Sequence, residues 1–426
     1  MSRVGMFSPP WVGHLNPNSA LAGELRRRGH EVIFFTVPDF ADEIRSRGFE
    51  VEVFGERGCP LGTLPPLLKR MSELEGLAAS AAGLEIFTIQ AGALFDEGPP
   101  MLKAARLDLW VVDQMDYAAA TLAARMGVPF VSAMCSLIRK HEDGVPCFSG
   151  EMYGDDPAAL ARDSAYERRV LEVSRPFRDY LTAYRLREGM SPFSYEELWS
   201  PLAQISQQPA EFEFPRKQLP PWFHFTGPFA ASESRPAAAL PEGLDPSKPL
   251  IYAAFGTSQN RNRRLYESVA SAAERLDAQV VLSMGGAEPL AIPGKPANVI
   301  VARFVPQLEI LKRASLMIMH GGLNTALECL QAGVPMVAIP IAHDHLGVAA
   351  RIEWTRTGVR IPFPELDASR LREAIETVQR DCSYRDAAQR FMRVIRERRG
   401  LCRAGEIIDQ VLRTGRPAVR SQPAAV

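Results

Sequence analysis

Two places in this 426-residue sequence concentrate side chains able to do chemistry. In "FSPPWVGHLNP", residues 7–17, His14 stands between the apolar run "RVGMF" and the helical pattern "NPNSALAGELRRRGH". Imidazole is the side chain that exchanges a proton near neutral pH, so this position could host a base. It could equally be a capping or surface residue. In "HGGLNTALE", residues 320–328, a buried strand ends and a helix opens. The unpaired N–H groups and positive dipole of such a helix start favour an anion, and Gly321 and Gly322 allow it to approach closely, which suits a diphosphate. Glu328, further along the helix, could accept hydrogen bonds from the vicinal hydroxyls of a ribose, and Phe304 at another strand end could stack on a base. Alone, "HGGLN" also fits any glycine-rich turn, and Asp113, closing "LWVVD", fits any strand-end carboxylate.

The surrounding pattern is one that positions such groups. "RVGMF", a helix expected to be capped at Asn16 with Pro17 in its first position and Gly29 at its end, and "EVIFFTV" make a strand-helix-strand unit. Strand-like runs recur at residues 107–113, 129–134, 249–255, 278–284, 298–304, 315–320 and 335–340, mostly separated by helical patterns. The class is therefore α/β with doubly wound parallel sheets. Residues 110–133 and 317–340 repeat one plan: a buried strand, a polar residue at its carboxyl end, a helix, then Gly-Val-Pro into the next strand. Two such halves facing one another form a cleft at their strand ends, with Asp113 and His320 in equivalent places.

Length alone favours two domains. The Pro/Ala/Ser-rich stretch 228–248 reads as the linker, dividing an N-terminal domain, 1–227, from a C-terminal domain, 249–400. A helix at 401–414 is expected to pack back on the first domain, and 415–426 reads as a disordered tail. With 49 Lys plus Arg against 50 Asp plus Glu, nothing argues for nucleic acid. Six cysteines without CxxC spacing read as reduced thiols of a cytoplasmic protein, and no run of about 18 apolar residues suggests a membrane span. "RERR" at 396–399 leaves a peripheral membrane contact open. "HDH" at 343–345 lacks a third ligand at a supportive spacing, so no metal is expected.

The run from Arg303 to Arg351 resembles the donor-binding signature of the UDP-dependent glycosyltransferases with the two-domain GT-B fold. Pro306-Gln307, His320, Gly321-Gly322, Asn324-Thr325, Glu328, Gly333-Val334-Pro335 and Asp344 fall in that family's register. The resemblance implies uracil stacked near Phe304 with backbone contacts from Val305, ribose held by Gln307 and Glu328, and diphosphate held by His320, Asn324 and Thr325. It further implies a phosphate-facing loop at Gly256, Thr257 and Ser258, and sugar hydroxyls on Asp344. By the same resemblance "GHLNP" carries the general base, His14, oriented by Asp113. Direct displacement would invert the anomeric carbon, with UDP-glucose as donor and no other cofactor.

Two departures stand out: Phe304 where many members have Trp, and His345 where the sugar-contacting Gln usually sits, which leaves the hexose open. Residues 200–228 resemble zeaxanthin glucosyltransferases most, implying a hydrophobic hydroxylated acceptor, a carotenoid. The apolar stretch 59–95 fits a greasy slot, and fits ordinary core helices as well. Other apolar aglycones such as flavonoids or macrolides are the alternative acceptors, and a nucleotide-sugar epimerase or a non-catalytic nucleotide-sugar sensor the alternative functions. A dehydrogenase is disfavoured because neither half has GxGxxG after its first strand, and a P-loop nucleotidase because GxxxxGK[ST] is absent.

Overall fold

The computed structural model describes residues 1–195, 198–232, 235, 238–257, 260–288 and 290–420. The N-terminal half runs β1 (Arg3–Phe7), α1 (Val12–Arg27), β2 (Glu31–Thr36), α2 (Pro38–Ser46), β3 (Glu50–Val53), α3 (Leu64–Ser72), α4 (Gly76–Ala105) and β4 (Leu109–Asp113). It continues with α5 (Tyr117–Met126), β5 (Phe130–Met134), α6 (Pro157–Arg187), β6 (Gln204–Ser206) and β7 (Phe223–Phe225). The C-terminal half runs β8 (Leu250–Ala254), α7 (Arg263–Ala273), β9 (Gln279–Ser283), β10 (Val299–Ala302), α8 (Gln307–Leu311), β11 (Ala314–Met319), α9 (Leu323–Ala332) and β12 (Met336–Ala338). After it come α10 (His345–Trp354), β13 (Gly358–Arg360), α11 (Ala368–Arg380), α12 (Cys382–Arg398) and α13 (Gly400–Thr414).

The strands form two sheets, ordered β3-β2-β1-β4-β5-β6-β7 and β10-β9-β8-β11-β12-β13. All pairings within them are parallel. Helices cover both faces, so the central strands read as continuous apolar runs: β4, β5, β8 and β9 are buried along their whole length. In each sheet the winding reverses once, between β1 and β4 and between β8 and β11. Ligands of doubly wound sheets bind outside the carboxyl ends at such a reversal. His14 follows β1 and Asp113 ends β4; Gly256 follows β8 and His320 follows β11.

Several expectations need correction. Helix α1 begins at Val12, not at Asn16, so His14 lies in its first turn and Pro17 falls inside it. A proline inside the second turn removes one hydrogen bond and crowds the carbonyl four residues back, yet mimics the signature of a helix start. Strands β3, β6, β7 and β13 carry no legible strand signal, being only three or four residues long, and β3, β7 and β13 are edge strands. The segment after Gly415 is not a free tail as far as it is described. Ala418 is fully buried, its N–H donates to the Leu202 carbonyl at 2.8 Å, and the His224 ring donates to the Ala418 carbonyl at 2.7 Å. Residues 421–426 lie outside the described ones.

Helix α13 returns to the first sheet's domain. Ile407, Ile408 and Val411 join Val4, Leu21 and Leu25 in one core, and Asp409 accepts from Arg28 at 2.8 Å. Helix α4 is long and apolar enough by composition to cross a membrane, but half of that window is buried in the protein. Between Pro228 and Lys248 the described residues contain no α-helix or strand.

Candidate active site

The two reversal points face each other across one cavity of about 1050 Å³. On the N-terminal wall, His14 Nδ1 lies 2.8 Å from Asp113 Oδ2. A carboxylate only accepts, so Nδ1 carries the proton and Nε2 keeps a free lone pair. Asp113 is fixed in turn: Asn18 Nδ2 donates to its Oδ2 at 2.9 Å and the Met115 N–H to its Oδ1 at 2.9 Å. Burial alone would lower the pKa of His14, but the charge and bond of Asp113, with a contribution from Asp344, raise it above 6.5 overall. Such a pair can take a proton from an alcohol and stabilise the resulting imidazolium.

On the opposite wall, α9 starts at Leu323 with Gly322 as its cap and, among the described residues, no side-chain cap hydrogen bond, a geometry that suits an anion. His320 is buried beside it and desolvation brings its pKa down to about 4, so the ring is neutral. Among the described residues its Nδ1 is buried with no hydrogen bond of good geometry, a polar atom that a ligand could satisfy. A Cβ on Gly256 or Gly322 would sit 2.8 or 2.5 Å from His320 Nε2, which explains glycine at both positions. Gly256, Thr257 and Thr325 line the same space; Ser258 lies outside the described residues.

Another part of the cavity is built by α8 and α9. Gln307 Nε2 donates to Glu328 Oε2 at 2.7 Å and to Thr325 Oγ1 at 3.3 Å. Phe304 is 47% exposed on the cavity wall, free to stack on a base, while Val305 beneath it is buried. Asp344 caps the cavity between the halves: its Oδ2 accepts from the Leu137 N–H at 3.3 Å, and burial raises its pKa. The Ala342 N–H donates to His345 Nδ1 at 3.2 Å, leaving the ring's proton on Nε2. Burial, with His320 and His343 nearby, keeps His345 neutral. Trp11, Met71, Leu77, Leu84, Phe87 and Met115 make an apolar wall on the side of His14.

Residues 267–398 match the family described as "Erythromycin biosynthesis protein CIII-like, C-terminal domain". A zeaxanthin glucosyltransferase of Pantoea ananas is 30% identical, the alignment covering 98% of each chain. The NDP-glycosyltransferase YjiC of Bacillus subtilis is 26% identical over 96% of this chain and 97% of its own. The chain is a GT-B glycosyltransferase. Solved structures agree on the fold: the glycotransferase of kitacinnamycin, at 23% identity, superposes with a TM-score of 0.76 over 96% of this chain and 99% of its own. The Streptomyces sp. SF2575 glycosyltransferase SsfS6, complexed with thymidine diphosphate, does so with 0.64 at 19% identity over 96% of this chain and 100% of its own.

The glycosyltransferase site also uses residues that sequence reading missed. Asn18 is one helical turn after His14, so helical spacing could have exposed its link to the His14–Asp113 pair. Arg235, in what reads as a passive linker, forms a two-pronged ion pair with Glu328. His343, considered only as a metal ligand, lines the cavity with its backbone in the left-handed region at φ 56°. Gln207 donates to the side-chain oxygen of Asn324 at 2.6 Å. No local pattern flags Arg235 or Gln207, since each meets its partner only across the fold.

Proposed function

We propose that this glycosyltransferase moves glucose from UDP-glucose to a hydroxyl of a lipophilic acceptor, zeaxanthin above others, with inversion at the anomeric carbon. The observation that carries the reading is the 2.8 Å His14–Asp113 pair set across one cavity from the uncapped start of α9. With the acceptor hydroxyl between His14 Nε2 and the anomeric carbon, His14 removes its proton as the oxygen attacks. The diphosphate leaves toward the α9 N-terminus and the neutral His320 on the opposite side. Attack and departure on opposite faces turn an α-linked donor into a β-glycoside. General-base help supplies about a hundred- to ten-thousandfold; electrostatic stabilisation of the leaving diphosphate and positioning supply the rest.

Gln307 and Glu328 hold the ribose, Phe304 stacks on the uracil and Asp344 takes sugar hydroxyls. The reaction needs no metal or cofactor in this scheme, since helix N–H groups and neutral imidazoles face the diphosphate. His345 offers one N–H donor where a glutamine would offer a donor and an acceptor, so the hexose is tested rather than assumed. The acceptor reading is supported by the near full-length 30% identity to zeaxanthin glucosyltransferase and by the apolar wall beside His14.

The deciding experiment supplies UDP-glucose or UDP-galactose with zeaxanthin and with several flavonoids, and looks for glycosides by mass spectrometry. A zeaxanthin glucoside is expected. Efficient flavonoid glucosylation with no carotenoid product overturns the acceptor, and interconversion of the two donors without any acceptor overturns transfer in favour of epimerisation.

A further inference from the structure

Pro17 lies inside α1 and has no N–H. In a regular helix that N–H would bond to the carbonyl of Gly13, four residues back, so this carbonyl has lost its usual partner. It is taken up from the other half of the molecule: Asn324 Nδ2, in the first turn of α9, donates to the Gly13 oxygen at 2.5 Å. The other end of the same amide is also fixed, because Gln207 Nε2 donates to Asn324 Oδ1 at 2.6 Å and to the Cys135 carbonyl at 2.9 Å. Turning the amide over would set two donors and two acceptors against each other, so its orientation is determined. One N–H of Nδ2 is spent on Gly13, and one remains for a group at the start of α9. Gly13 is the residue before His14.

We propose that Asn324 is a positioning residue that joins the two halves of the reaction: one hydrogen of its side-chain nitrogen serves the diphosphate at the α9 start, the other holds the Gly13 carbonyl. Pro17 is what leaves that carbonyl open to it. Donor binding at α9 is thereby transmitted through one amide group to the turn of α1 that carries His14. The proposal rests on His14 as the base. The missing helical bond in α1 then has a purpose, since a complete helix would supply an internal N–H that competes with Asn324 for the Gly13 carbonyl.

The test is Pro17→Ala, with Asn324→Ala and the double variant. Alanine at position 17 restores an N–H that competes for the Gly13 carbonyl, and it favours the helix, so the fold persists. Pro17→Ala is expected to lower kcat about tenfold, the worth of one well-placed hydrogen bond, while the Kd for UDP stays within about twofold and the melting temperature does not fall. The double variant should be no slower than Asn324→Ala, because both changes break one link. Selective 13C labelling of the seven histidines gives a readout without any acceptor: UDP shifts the His14 ring signal in the wild type and leaves it unmoved in Pro17→Ala. Wild-type kcat or a wild-type UDP-induced shift in Pro17→Ala overturns the link, as do additive losses in the double variant. Undiminished turnover in His14→Ala instead overturns the base reading and leaves the Pro17 result to be judged by the shift alone.

Discussion

At the scale of single residues, His14 has its lone pair free only because Asp113 occupies the other ring nitrogen at 2.8 Å. His14→Ala is expected to cut turnover at least about a hundredfold while leaving UDP-sugar affinity intact, read from kcat and from calorimetric Kd. Near-normal turnover would remove the imidazole from the mechanism. The sign of the pH dependence follows from the raised pKa. A base works when unprotonated, so kcat/KM must climb as pH rises through a value above 6.5. Asp113→Asn takes away the charge that opposes burial, so the acidic limb should move to lower pH as the rate drops; a limb that stays put would mean another group titrates. Both residues are legible in the sequence, since Asp113 ends a short strand and His14 lies in the junction between a short strand and its first helix. Asn18 and His343 are not, because their roles depend on which side chains face them.

At the scale of elements, the proposed diphosphate site rests on the geometry of the first turn of α9. Gly322 has φ −69° and ψ 133°, a conformation open to alanine, so Gly322→Ala strains no backbone. The added Cβ would instead lie 2.5 Å from His320 Nε2 and push the ring aside. UDP affinity should weaken about tenfold, as expected for one lost hydrogen bond to a charged group, with circular dichroism unchanged; unaltered affinity in calorimetry would mean that His320 does not face the diphosphate. The strand-turn-helix unit here was readable because its signal is contiguous from His320 to Glu328. The start of α1 was misread for the same local reason: Asn16-Pro17 looks like a cap and first position, while the helix begins a turn earlier, at Val12. Nothing local distinguishes the two, as the carbonyl freed by Pro17 is satisfied from the other half of the chain.

At the scale of the whole molecule, the two halves are held by buried polar contacts as well as by apolar packing. Arg351 on α10 and Arg216 both pair with Glu213, and none of the three side chains is exposed. Burial alone would raise the Glu213 pKa, but the two guanidinium groups hold it below the usual carboxylate range. Glu213→Gln keeps the volume and leaves two buried cations without their anion, a loss of about 3–5 kcal/mol. The urea midpoint should fall accordingly; a midpoint equal to that of the wild type would show that water or another group compensates. This triad spans residues 213 and 351, and no pattern of spacing announces it. By itself the sequence determined the parallel α/β halves, the donor motif and the identity of the imidazole and carboxylate at the strand ends. These follow from apolar periodicity and from turns whose chemistry is confined to a few consecutive residues. Only the tertiary structure decided that Arg235 holds Glu328, that Asn324 reaches the Gly13 carbonyl, and that Leu137 meets Asp344. Such bonds join residues roughly a hundred or more apart in the chain, and hydrogen bonding of this kind is fixed by where the folded halves come to rest against each other, which local propensity does not encode.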